Sequence, residues 1–168
     1  MIGWDQSAHV LAAAVGALGG RVYGHTGDGS TDCSRAAFAI LGSLYPRLDW
    51  ESERPALMIF DASQPFSPID AVVRLGAGKR VTDPEPGSWS LVQGWRKLDP
   101  LTGWVPNPSP SPNGHVFLWW EPPAVAVDLR GVVVEANTRR PWLRLLDWSE
   151  QVKPYRAGVE IAKLNPPR

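Results

Sequence analysis

Gly29-Ser30-Thr31-Asp32-Cys33-Ser34-Arg35-Ala36-Ala37-Phe38 is where a polar, glycine-rich run stops and an apolar helical pattern starts. From Cys33 the pattern predicts a helix over 33–44, with Phe38, Leu41 and Leu44 on one side and Pro46 beyond its end. A helix N-terminus carries free backbone N–H groups and a partial positive charge. Both favour thiolate over thiol, and thiolate is the nucleophilic form. Cys33 is the chain's one cysteine, so it has two readings: a catalytic nucleophile, or a small buried apolar residue, the commoner fate of a free cysteine.

Working outward, Asp5 or Ser7 can cap a first helix over 6–18, which Gly19-Gly20 ends. Residues 21–30 read as a loop leading to Cys33. The run Leu57-Met58-Ile59-Phe60 is short, and Pro65 and Pro68 argue against a long element after it. Ala71-Val72-Val73-Arg74-Leu75 is ambiguous between helix and strand. Beyond it the character changes. Trp89-Ser90-Leu91-Val92-Gln93-Gly94-Trp95 alternates and follows Pro86-Gly87, which predicts a strand. A Pro-, Ser- and Asn-rich loop at 100–113 separates it from His115-Val116-Phe117-Leu118-Trp119-Trp120 and Val132-Val133-Val134-Glu135-Ala136, both β-prone. A last strand is expected within 156–164. Helices first and antiparallel strands after them make an α+β layout, with helices packed on one side of a sheet.

The 168 residues suit one domain, 1–168, with a real core and no internal repeat. A 43% hydrophobic and 20% charged composition is that of a globular chain. Lys+Arg and Asp+Glu both number 17, so no general charge draws it to nucleic acid or an anionic membrane. One cysteine excludes an intrachain disulfide and a cysteine-based structural zinc site. No cofactor is expected, and no His/Asp/Glu cluster has metal-ligand spacing. The start, Met1-Ile2-Gly3-Trp4-Asp5, lacks the basic opening of a secretory signal, and the apolar stretch at 8–18 is too short to span a bilayer. Synthesis as a soluble cytoplasmic chain is expected, with another system releasing it if it acts outside the cell. Nine tryptophans are an excess whose ordinary role is core filling; the other role is as flat walls of a substrate groove.

Thiol chemistry needs a base within reach of the thiol and a third group that orients the base. Of the three histidines, His9 sits among apolar residues of the first helix and His25 in the loop before Cys33. His115 opens a strand directly after Gly114, and a strand end holds a side chain more firmly than a loop. Glu135 is the one charged residue in its apolar strand, a position that costs energy unless it is paired, and an imidazole is a natural partner. Asn137, one alternation further along, is the other candidate for orienting His115.

Tyr23-Gly24, then Asp32-Cys33-Ser34, Pro86-Gly87 before a strand, Gly114-His115-Val116 and Glu135-Ala136 together resemble the NlpC/P60 cysteine peptidases. The likeness runs over most of residues 21–137. The chain departs from the family pattern at Arg35, where the family usually has Gly, at Ser88 in place of the Asp of a Pro-Gly-Asp turn, and at Arg21 in place of an aromatic residue. Its third catalytic position, most often His in the family, holds Glu135. The resemblance implies a papain-like fold with N-terminal helices on a central antiparallel sheet, and a single catalytic domain. It implies Cys33 as nucleophile, His115 as general base and acid, and Glu135 as orienting group, with Tyr23, Asp32 and Ser34 on the substrate side or shaping its turn. The implied partner is a bacterial peptidoglycan peptide, cleaved at an amide bond by a monomer, with no nucleic-acid or membrane partner. A chain without a signal fits a bacteriophage lysin or a tail-associated hydrolase. A papain-like acyltransferase or amidase on another substrate would use the same three residues. A non-catalytic cell-wall-binding or phage tail module would not use them.

Overall fold

Small and apolar residues at helical spacing build the first layer. A computed structural model of the chain describes residues 6–24, 30–53, 67–95, 114–125, 129–137, 141–156 and 158–167. His25, the apolar run at 57–60 and the stretch at 100–113 lie outside them. Helix α1 spans Gln6–Leu18 and α2 spans Cys33–Leu44, at the expected bounds. Val10, Ala14, Ala17 and Leu18 of α1, and Ala36, Ala37, Ile40, Leu41 and Leu44 of α2, are all buried in one core cluster. Alanines at the facing positions let the two helices approach closely. The ambiguous 71–75 stretch falls largely on a helix, α3, Pro68–Arg74. Its start is explicit in the sequence: Ser67 and Asp70 form a reciprocal capping box, and Pro68 needs no hydrogen-bond partner for a missing N–H.

The strands are β1 (Val22–Tyr23), β2 (Ser30–Thr31), β3 (Gly78–Val81), β4 (Ser88–Trp95), β5 (Gly114–Glu121), β6 (Gly131–Val134), β7 (Leu143–Leu146) and β8 (Gly158–Leu164). A short helix, α4 (Trp148–Val152), lies between the last two. β3 to β8 form a six-stranded sheet in the order β3-β8-β4-β5-β6-β7, and its paired neighbours are antiparallel. Residues 21–30, expected as a loop, contain β1 and the start of β2, which pair in parallel, Val22 with Ser30 and Tyr23 with Thr31. The two-residue strands are too short to leave a periodic signal.

Period-two alternation along β4 and β5 divides the core. Trp89, Leu91, Val116 and Leu118 join the cluster under the three longer helices. Val92, Phe117 and Trp119 join a second cluster with Val133, Leu146, Tyr155 and Ile161. Trp148 and Val152 of α4 pack against that second cluster. The expectation of helices on one side of the sheet is thus corrected: α4 covers the other face. Five residues are too few to show helical periodicity, so no sequence pattern announced it. The strand expected over 132–136 is also shorter. β6 ends at Val134, and Glu135 stands just past it, its N–H donating to the Trp142 carbonyl at 2.9 Å.

Candidate active site

The side chains gather where the sheet parts. The β5–β6 ladder consists of Leu118 with Val134, Trp119 with Val133 and Trp120 with Val132. Among the described residues, β5 runs on through 114–117 without a β6 partner, while β4 stays paired to it, Gly94 opposite His115 and Gln93 opposite Val116. A Cβ on Gly114 would lie 2.7 Å from the Gln93 amide nitrogen, so the glycine leaves that buried amide in place. The start of α2 meets this open edge. There the Cys33 sulfur comes beside the His115 ring and the Val116 backbone N–H.

Asp32 fixes the turn that carries Cys33. Its backbone is extended (φ −120°), and its side chain accepts the Arg35 N–H at 2.8 Å as the cap of α2. Cys33 is therefore the first helical residue, and its own N–H stands outside the helix's bonding ladder. Arg35 has its Nε 3.4 Å from Asp32 Oδ2, and its guanidinium also donates to the Gly24 carbonyl. Arg35 thus ties the segment after β1 to the helix start. Ser34 is fully buried, and its Oγ has no partner among the described residues. Asp32 is 2% exposed. Both build the turn from within. Tyr23 lies on β1; the expectation that its side chain lines the groove concerns a side chain outside those described.

His115 links the two remaining groups. Its Nε2 lies 2.7 Å from Glu135 Oε2, which leaves Nδ1 for Cys33. Glu135 is thus the carboxylate on this ring nitrogen. Glu135 is 3% exposed and is held by more than the histidine. Arg144 of β7 donates to its Oε1 at 2.7 Å, and Gln151 of α4 donates to its Oε2 at 3.2 Å. Tyr155 stacks on the imidazole, with centroids 6.3 Å apart and planes 14° from parallel.

Burial works against every charge here, and the neighbours overcome it. Burial pushes the Cys33 thiol up, but the hydrogen bond and charge of His115 and the Val116 N–H bring it below the ordinary range, with Asp32 opposing. Burial would lower His115; its bonds to Cys33 and Glu135 raise it to about 9. Burial would raise Glu135; His115 and Arg144 hold it down at about 2. All three shifts point the same way, towards a thiolate–imidazolium pair backed by an ionised carboxylate, the arrangement a thiol nucleophile with its acid and base would need.

Arg144, Gln151 and Tyr155 escaped the sequence reading. Arg144 is a single cation in Leu143-Arg144-Leu145-Leu146, the same signal that singled out Glu135. Gln151 had none. Among the described residues, no group of three or more His, Cys, Asp or Glu side chains is placed to hold a metal ion, and no helix is long and apolar enough to cross a membrane. A cavity of about 580 Å³ at the far end of α2, lined by Tyr45, Arg47, Leu48, Gly76, Asn165 and Pro166, contains none of the residues above. No protein-family model, no curated protein and no solved structure matches the chain.

Proposed function

We propose that the protein is a cysteine peptidase or amidase that hydrolyses amide bonds in bacterial peptidoglycan peptides. The observation that carries the chemistry is the buried His115 ring, beside Cys33 on one side and bonded to Glu135 at 2.7 Å on the other. The substrate class follows from the resemblance to NlpC/P60 peptidases. A papain-like layout is part of the same proposal, supported by a nucleophile at a helix start, a histidine opening a central strand and a carboxylate just past the next strand. So is action on the cell wall after release, as a phage lysin or tail-borne hydrolase working as a monomer.

In this mechanism the Cys33 thiolate attacks the amide carbonyl carbon, forming a C–S bond and moving the carbonyl electron pair onto oxygen. The Cys33 backbone N–H is a donor for that oxyanion. Collapse breaks the C–N bond, and the departing amine takes the proton of His115. The now neutral imidazole removes a proton from water, which attacks the thioester. The acid leaves, the thiolate returns and His115 is again protonated. Glu135 keeps the ring aligned through both steps.

The test is digestion of purified peptidoglycan by wild type and by Cys33→Ala, with released peptides identified by mass spectrometry. Wild type is expected to release new amine and carboxyl termini, and Cys33→Ala to lose at least about 10³-fold in rate. Equal release by both proteins would overturn the nucleophile. Transfer of the acyl group to an amine instead of water would place the protein among the acyltransferases.

A further inference from the structure

The carboxylate that orients His115 is itself held from two further elements. Arg144 donates through one nitrogen both to Glu135 Oε1, at 2.7 Å, and to Gln151 Oε1, at 3.1 Å. Gln151 returns its amide N–H to Glu135 Oε2 at 3.2 Å, the oxygen that also meets His115. The three groups close a ring of hydrogen bonds that leaves the carboxylate no freedom to rotate. Gln151 is 5% exposed and enters from α4, on the face of the sheet away from α2.

A buried carboxylate against an imidazole does two things: it aligns the ring, and it favours the protonated form. Alignment is useful throughout the cycle. A permanently protonated ring is not, because the second half of an acyl-transfer cycle needs a neutral imidazole. A guanidinium on the opposite oxygen offsets the anion while leaving the geometry intact. It is always charged, so this offset holds across the working pH range.

We propose that Arg144 and Gln151 are positioning residues for the thiol–imidazole pair, together fixing both oxygens of Glu135, with Arg144 offsetting its charge. The proposal rests on reading Cys33 as the nucleophile. The groups that face His115 are Cys33, with Asp32 behind it, from α2; Glu135 from the end of β6, backed by Arg144 of β7; and Tyr155 after α4. Of the charges next to Glu135, Arg144 is the one whose removal makes the carboxylate a stronger partner for the imidazolium.

The experiment follows the His115 ring by NMR through a pH titration of the full chain, in wild type, Arg144→Met, Arg144→Lys and Gln151→Leu. The rate of Cys33 alkylation by iodoacetamide is measured over the same range. Arg144→Met is expected to move the His115 midpoint upward by about half a unit to one unit, and Arg144→Lys to restore most of that shift. Gln151→Leu is expected to slow alkylation several-fold with a smaller change of midpoint. A merely structural role would change the folded fraction without moving the midpoint. Should Arg144→Met not fold, Arg144→Gln, which keeps a donor and drops the charge, is read in the same way. Midpoints and alkylation rates equal to wild type in folded variants overturn the proposal and leave the nucleophile reading intact. A wild-type Cys33 inert to iodoacetamide overturns the nucleophile reading, while the His115 midpoint still decides whether Arg144 offsets Glu135.

Discussion

Glu135 shows how one buried residue ties stability to the charge state of its neighbours. Its carboxyl, held at about 2, makes a contribution that is complete above the roughly 4.3 of an unfolded glutamate. That contribution is lost as the pH falls through about 2, because protonation removes the partner of His115 and Arg144. Cys33 and His115 enter the same linkage with opposite signs. The lowered thiol adds stability as pH rises towards the unfolded thiol value, and the raised imidazole loses it as pH rises through about 9. The acid limb is therefore where Glu135 reads cleanly. Glu135→Gln should be less stable than wild type at pH 5 by on the order of 2 kcal/mol, with the gap closing towards pH 2. Thermal melts at half-unit intervals would show it; parallel profiles for the two proteins would refute it. At this scale Cys33, His115 and Glu135 were all legible, each because its residue type was out of place in its surroundings: a thiol at a helix start, an imidazole after a glycine, a carboxylate among valines.

Elements hold these residues by packing that tolerates little change. Gly94 of β4 lies opposite His115, and a Cβ there would come within 2.4 Å of the Tyr155 ring. Tyr155 in turn stacks on Phe117 with centroids 5.9 Å apart, as well as on His115. Gly94→Ala must move Tyr155, so it is expected to cost about 1–3 kcal/mol and to slow Cys33 alkylation at neutral pH. Gly16→Ala is the comparison. It sits within α1, its Cβ would meet nothing within 4 Å, and it should stabilise by about 0.5–1 kcal/mol. Urea titrations measure both; a Gly94→Ala protein as stable and as reactive as wild type would contradict the packing argument. The long elements were readable because period and length agreed, as in α1, α2, β4 and β5. The edge strands β3 and β7, of four residues each, were not. Lys79 and Arg80 on β3 give it no apolar alternation, and β7 is held in place by pairing with β6 rather than by its own pattern.

Across the whole molecule, the sheet carries a core on each face, and the candidate site draws on both. α2 brings Cys33 from one side, and α4 brings Gln151 from the other. Trp148 of α4 meets the buried Trp119 edge-on, with centroids 5.1 Å apart. Trp148→Ala is expected to lose about 2–3 kcal/mol of stability, and, by loosening α4, to slow Cys33 alkylation in the protein that remains folded. A loss of stability with unaltered alkylation would mean that the second face does not support the site. The local determinants lay in the chain itself: which residues start α2, which run forms β4 and β5, and which three side chains are chemically conspicuous. These follow from periodicity, capping and the cost of placing a polar group in an apolar run, all of which are properties of neighbours in sequence. The tertiary structure alone decided that the β5–β6 ladder opens at Val134, that Glu135 reaches His115, and that Arg144 and Gln151 close around it. Those contacts join residues far apart in the chain through strand register and sheet packing, and no short-range pattern encodes a register.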